Sequence, residues 1–444
     1  MKVFLAARRW RGAVPMACLL AFLAVGCVRA EDNVLRTPSG ESLRCIYYFP
    51  HWWDPWRSDE KVVAKDLKHL RSLGINTLLL DHEWSQAPNN SWGMLDRAHR
   101  LAKDAGMQIV PWLSLKVWND FNYGDRTKIV KKQYGVDLQL SRDQDGKLSS
   151  IMVYDEGAVI AGAEYAIDYL DRYLKDGVIA HYQWGGEVRP TVALTVELAW
   201  NAGGFDDRTT GRFRRALAKQ YGKDIRTLNE KWGTKYASFD AIDPRDKKIF
   251  NYADHDTSKI AHPEAVEAHI EFRSQMIHEG LQAAKERVLL KHPNVIFSTE
   301  FPYQIAAVHP HAKEFRVDFG SNPSSSLHAE VLYLRMTGLM IESEIEALRK
   351  HVEASGQKIV LCYRTYVEWA KPDVKAASVY AKEALQHAHG IGFYSWNEMV
   401  DVHLAEPGPG SPRNTWTVEG DVARGMQEHA AKILAEYKKV SGGK

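Results

Sequence analysis

The sequence predicts an α/β fold, a parallel (β/α)8 barrel with loop and helical insertions after its third, fourth and fifth strands. Three observations point to it. Strand-like apolar runs alternate with helical stretches from Leu43 onward, the pattern of a parallel sheet. Eight such runs can be counted, enough to close a barrel. No linker or fixed-period repeat divides the chain, so its 444 residues accommodate one barrel of ~250 residues plus insertions.

The first strand is expected at Arg44–Phe49, opening into an aromatic loop that includes Trp52, and the helix Asp59–Leu73 stops at Gly74. The second strand, Asn76–Leu80, runs into Asp81-His82-Glu83, and its helix, Gly93–Ala105, again ends at a glycine. The third strand is Gln108–Leu113. The polar stretch Asn119–Tyr154 reads as a loop excursion with a small hairpin around Gln144-Asp145-Gly146. A helix over Ala158–Leu174 leads to the fourth strand, Val192–Val196. Two long helices, about Thr210–Lys231 and Pro263–Lys291, precede the fifth strand, Val295–Thr299, which ends in Glu300. Strands six to eight are expected at Val331–Arg335, Lys358–Tyr363 and Phe393–Ser395, with a helix at Glu342–Ala354. A last helix, Val422–Lys438, closes the barrel.

Composition narrows the function classes. Hydrophobic content of 45% and charged content of 26% are those of an ordinary globular protein, and a net charge of +2 with no basic block argues against nucleic acid as a partner. The first 30 residues read as a secretory signal: a basic start at Lys2, Arg8, Arg9 and Arg11, an apolar core, and small residues ending at Ala30. Its removal would take away five positive charges and no negative one, leaving −3. Alternatively, Leu23-Ala24-Val25-Gly26-Cys27 is a lipoprotein-type box that would make Cys27 a lipid-anchored terminus. Residues 31–444 then form the single barrel domain, exported to the periplasm or beyond. No later run is apolar enough to span a membrane. Cys45 and Cys362, both in expected strands, read as core thiols.

The chemistry is read from the strand ends. The run TVALTVELAW carries a buried-strand pattern straight into Glu197, with Trp200 three residues on. In a parallel barrel such ends converge on one pocket. The polar residues collected there are Asp81, Glu83, Glu197, Glu300, Arg335, Tyr363, Arg364, Glu368, Asn397 and Glu398. Trp52, Trp200 and Trp396 interleave with them. Carboxylates among flat aromatic faces suit acetal cleavage, which needs one protonated acid and one ionised carboxylate. Close carboxylates raise one another's pKa, which keeps one protonated.

The run Phe213…Leu217…Tyr221-Gly222-Lys223-Asp224-Ile225…Leu228-Asn229…Trp232-Gly233-Thr234…Phe239 resembles the segment that follows the acid/base glutamate in family 42 glycoside hydrolases, β-galactosidase-type enzymes of the large retaining (β/α)8 clan. The resemblance covers roughly residues 191–240. It implies that Glu197 is the acid/base. It also implies a nucleophilic Glu at the end of the seventh strand, but Cys362-Tyr363-Arg364 stands there, and Val196 replaces the Asn that precedes the acid/base residue. The second carboxylate then falls to Glu300, with Glu368 and Glu398 as alternatives. Asp81, Glu83, Arg335, Tyr363, Arg364 and Asn397 are expected to hold or orient substrate, and Trp52, Trp200 and Trp396 to stack on it.

Other chemistries find less support. Consecutive strand residues face opposite sides, so His82 cannot join Asp81 and Glu83 as a metal ligand, and neither HExxH nor paired-Cys spacing occurs. No GxGxxG follows a strand, so no dinucleotide is expected, and no serine sits in a nucleophile elbow. The expectation is a glycoside hydrolase without cofactor or metal, acting on an oligo- or polysaccharide. The rivals are a saccharide-binding barrel without catalysis and a metal-dependent barrel hydrolase.

Overall fold

The computed structural model describes residues 34–48, 60–82, 92–114, 126–152, 156–184, 187–195, 204–252, 260–302, 329–336, 356–364, 388–394 and 420–440, with 346, 349–350, 353 and 396 singly. The chain begins with β1 (Arg44–Tyr48), α1 (Glu60–Leu73), β2 (Thr77–His82), α2 (Gly93–Asp104) and β3 (Gln108–Ser114). Next come α3 (Arg126–Tyr134), β4 (Leu140–Arg142), β5 (Leu148–Met152), α4 (Glu156–Tyr173), β6 (His181–Trp184) and β7 (Glu187–Thr195). Then follow α5 (Asp207–Gln220), α6 (Ile225–Trp232), α7 (Pro263–Lys291) and β8 (Ile296–Pro302). The chain ends with β9 (Val331–Met336), β10 (Lys358–Arg364), β11 (Gly390–Tyr394) and α8 (Gly420–Val440).

Eight parallel strands pair in the order β3-β2-β1-β11-β10-β9-β8-β7, and β7 pairs back to β3 through Trp112↔Ala193 and Ser114↔Thr195, closing the barrel. Strands so placed are buried on both faces, hence the apolar runs. Along β1, Cys45 and Tyr47 lie in the barrel interior while Ile46 and Tyr48 join the helix-facing layer. The interior holds Leu79, Val110, Trp112, Ala193, Ile296, Val331, Tyr333, Val360 and Cys362. The outer layer packs Val63, Leu67 and Leu70 of α1, Leu95 and Ala102 of α2, much of α4, and Ile433, Leu434 and Tyr437 of α8.

Cys45, Gly392 and Cys362 form one row across β1, β11 and β10. A Cβ on Gly392 would come within 2.7 Å of one Sγ and 2.8 Å of the other, so only glycine fits between the two thiols. With a strand between them the cysteines cannot reach disulfide distance, and they are thiols as expected.

Several elements differ from the sequence reading, among them the eighth barrel strand, which runs Gly390–Tyr394 and not Phe393–Ser395. The excursion after β3 contains the expected hairpin, β4 with β5, but also the helix α3. The fourth barrel strand begins at Glu187 because its first residues pair antiparallel with β6; Gly185-Gly186 between two β-prone runs was the available signal. The helix expected at about Thr210–Lys231 is two helices. Gly222 and Lys223 adopt φ of 59° and 65°, ending the first, and Asp224 accepts the Arg226 N–H at 3.0 Å, capping the second. The second strand runs two residues further, to His82. Much of the helix expected at Glu342–Ala354 lies outside the described residues, as does the amino-terminal signal with Cys27.

The insertion after β7 has a core of its own: Phe205, Phe213, Leu217, Leu228, Trp232, Ile242, Phe250, Tyr252, Ile260 and residues of early α7. At its turn, Asn229 Oδ1 accepts from Tyr236 N and Thr234 Oγ1, both at 2.8 Å, and Asn229 Nδ2 donates to Tyr236 O at 2.8 Å. The residues that carry the family resemblance are thus mainly the packing and turn residues of this insertion.

Candidate active site

The barrel interior beneath the strand ends is aromatic. Tyr47 meets Trp112 edge-on at 5.0 Å and Tyr394 at 4.9 Å, and Trp112 meets Tyr333 at 5.7 Å. Tyr182, carried in by the β6–β7 hairpin, shares a 2.5 Å hydrogen bond with the Tyr333 hydroxyl. Burial pushes both phenols well above their usual range, so they stay neutral. Tyr394 at the end of β11 is the partly exposed member of the set. None of these four tyrosines, nor Trp112, was singled out from sequence. The signal was strand alternation: Cys45-x-Tyr47, Val110-x-Trp112, Val331-x-Tyr333 and Gly392-x-Tyr394 put them on the inner face.

β7 and β8 are fastened together inside the barrel. Ser298 Oγ donates to Val192 O at 3.0 Å and Thr191 Oγ1 to Ile296 O at 3.1 Å. Their register, Thr191↔Ile296 to Ala193↔Ser298, fixes how the ends of the two strands stand relative to each other.

Four of the expected site residues fall at carboxyl ends of barrel strands. Asp81 is in register with Trp112, Glu300 with Tyr333, Arg335 with Cys362, and Arg364 with Tyr394. The fold therefore brings these positions, far apart in sequence, to one end of the barrel. Trp52, Glu83, Glu197, Trp200, Glu368, Asn397 and Glu398 lie outside the described residues.

Two expected substrate contacts are placed elsewhere, a correction to the sequence reading. Tyr363 sits on the outer face of β10 in the layer beneath the helices, its hydroxyl buried and without a hydrogen-bond partner among the described residues. Trp396 is 2% exposed in the same layer, its ring 5.7 Å from that of His69 on α1. Neither can stack on or orient a ligand at the mouth. Beside Trp396, burial pushes the Asp66 carboxyl up to about 6, against the opposite pull of Trp396, His69 and Lys65. This perturbed acid faces the helix layer, so its shift reflects packing. Among the described residues no group of three or more His, Cys, Asp or Glu is arranged to hold a metal, and no helix is long and apolar enough to cross a membrane.

The closed eight-stranded parallel barrel with its surrounding helices is a (β/α)8 fold. It is similar to the catalytic domain of a β-amylase from Paenibacillus polymyxa, with a TM-score of 0.57 at 12% identity, over 87% of this chain and 97% of that one. It is also similar to a β-galactosidase from a psychrophilic Marinomonas (TM-score 0.54, 14% identity, 90% of this chain and 62% of that one). A third similar structure is a β-galactosidase from Bacillus circulans (0.55, 13%, 91% and 58%). The chain thus spans about three-fifths of those galactosidases, and at such identities the likeness is one of fold. No family model matches the sequence, and no curated protein sequence does.

Proposed function

We propose that this protein is an exported glycosidase that cleaves a β-galactoside or related saccharide with a pair of carboxylates, Glu197 as proton donor and Glu300 as nucleophile or base. The observation that carries the reading is the β7–β8 register beside the aromatic interior of the barrel. Continued past Ala193↔Ser298, it sets position 300 level with Thr195, two residues short of Glu197. The separation of the two carboxyl groups decides the stereochemistry: about 5–5.5 Å means retention and about 6.5–9.5 Å means inversion. Strand alternation gives position 300 the parity of Ile296 and Ser298, the face of the interior. Asp81, Arg335 and Arg364, at the ends of β2, β9 and β10, would bind sugar hydroxyls together with Glu83 and Asn397. Tyr394, the partly exposed inner aromatic, would stack on the sugar in place of Trp396, alongside Trp52 and Trp200. Glu368 and Glu398 are the alternative second carboxylates.

A second reading rests on one observation: Cys362-Tyr363-Arg364 ends the strand where family 42 enzymes carry their nucleophile, which suits a barrel that binds saccharide without cleaving it. The two are separated by a screen against aryl glycosides and plant or algal polysaccharides, with product stereochemistry read by NMR. Turnover that survives chelators is expected; affinity without product favours the second reading, and loss on chelation a metal-dependent hydrolase. For export, the mature protein is expected to begin after Ala30, and a lipid-modified Cys27 at its terminus would replace that assignment.

A further inference from the structure

The excursion after β3 and the insertion after β7 meet at one buried joint. Ser141 of β4, 1% exposed, accepts the Gly204 N–H at 2.7 Å and donates to Asp206 Oδ2 at 3.0 Å. Asp206 in turn accepts from Thr209 N at 2.8 Å and Thr209 Oγ1 at 2.9 Å, capping α5. One residue away, Phe205 N donates to Arg142 O at 3.1 Å. The hairpin is tied further along the insertion, where Gln144 Nε2 donates to Phe250 O at 2.6 Å and Asp145 pairs with Lys247.

From the opposite side the joint is backed by α7. Arg273, also 1% exposed, lays its guanidinium over Phe205 at 5.5 Å and against Gly204. A Cβ on Gly204 would lie 2.9 Å from Arg273 Nε, and the backbone there has φ of 92°, so position 204 requires glycine twice over. The stretch 196–203, which holds Glu197, Trp200 and Asn201, is therefore bounded by two fixed points. At one end Thr195 is paired with Ser114 in the barrel wall. At the other Gly204 is held between Ser141 and Arg273.

We infer that Ser141 is a positioning residue for the Glu197 segment: a hydroxyl from a different βα loop that sets where the proton donor's loop re-enters the fold. This rests on the reading of Glu197 as the acid. The barrel core does not depend on this hydroxyl, since Ser141 belongs to the hairpin outside the closed sheet. Losing the joint would displace the donor while leaving the barrel intact, and a displacement of about 1 Å can cost on the order of 100-fold in rate.

The experiment compares Ser141→Ala, Ser141→Thr, Gly204→Ala and Glu197→Gln in the full chain, on an aryl glycoside that the wild type cleaves. Ser141→Ala is expected to lower kcat by about 10–100-fold with KM changed by less than about threefold. It should also move the alkaline limb of the kcat/KM profile, which reports the acid. Ser141→Thr, which keeps the hydroxyl, is expected to restore most of the rate, and Gly204→Ala, which disturbs the same joint from the Arg273 side, to reproduce the loss. A wild-type kcat and pH profile in Ser141→Ala would overturn the inference, as would a loss that follows lowered melting temperature and is not recovered by threonine. If Glu197→Gln is inactive and Ser141→Ala is unchanged, the positioning role alone fails. If Glu197→Gln keeps full activity, the catalytic reading itself fails.

Discussion

Cys362 and Tyr363 are adjacent in sequence and lie on opposite faces of β10, the thiol inside the barrel and the phenol under the helices. Tyr394 and Trp396 form a second contrast. Tyr394, at the end of β11, stays with the inner aromatic set, whereas Trp396, beyond the strand, turns into the outer layer. The same few residues of chain thus supply a mouth and a structural girdle. Which one a side chain joins depends on strand parity and on where the strand stops, not on how chemically suggestive the residue is.

Substitutions on the outer face should therefore affect stability and leave substrate handling alone. Trp396→Ala is expected to have the largest effect, a loss of about 3–5 kcal/mol in denaturant unfolding, as for other buried tryptophans. Tyr394→Ala, on the inner face, should instead raise KM with a smaller loss of stability. If Trp396→Ala changed KM without lowering stability, the assignment of the two faces would be reversed.

Acid should act next. Burial holds His99 at about 3, with Asp96 opposing, and His389 at about 3, with Lys358 adding to the shift. His99 shares a 2.6 Å bond with Tyr169, and His389 Nδ1 accepts the Ile359 N–H at 3.1 Å, a bond only the unprotonated nitrogen can make. Both folded-state values lie below the unfolded value of 6.5. The stability they contribute is complete above pH 6.5 and is lost as pH falls through the window toward 3. At pH 5 each should cost about 2 kcal/mol relative to pH 8, read from urea unfolding. His99→Gln should flatten its share of that slope.

Asp66 has the opposite sign. Its folded value of about 6 lies above the ordinary Asp value of 3.8, so its charge destabilises the fold increasingly from pH 3.8 to 6 and at a constant level above. Asp66→Asn is expected to stabilise the protein by about 1–2 kcal/mol at pH 8, discounted for its partial exposure, and by almost nothing at pH 4. Tyr363→Phe should have the smallest effect, within about 1 kcal/mol and on the stabilising side, because it removes a buried hydroxyl without a partner. A fall in kcat for that variant would return Tyr363 to the mouth.

The barrel was legible because each strand, buried on two faces, leaves an unbroken apolar run, and because glycines punctuate the helices. The hairpin β6–β7 and the break between α5 and α6 were less so. Each is decided by a few turn residues, Gly185-Gly186 and Gly222-Lys223-Asp224, embedded in stretches whose wider pattern fits one longer element. For the site, the end positions Asp81, Glu300, Arg335 and Arg364 could be read off, since a strand end is a one-dimensional property. Of the inner aromatic set, only the parity of Tyr47, Trp112, Tyr333 and Tyr394 was legible; which rings meet was not, because those contacts run between strands that share no sequence neighbourhood. In the motif resembling family 42, Leu228, Asn229 and Trp232 are recognisable because they pack and turn the insertion, a signal of packing rather than of chemistry.

Central to the whole is the claim that a proton donor at position 197 works with a second carboxylate on the neighbouring strand. The most direct measurement is turnover of an aryl glycoside with a poor leaving group by Glu197→Gln, with melting temperature recorded in parallel. The expected result is a fall of at least about 10³-fold in kcat, within the range given by loss of general acid catalysis, at unchanged melting temperature. A variant that folds normally and turns over at the wild-type rate would contradict it.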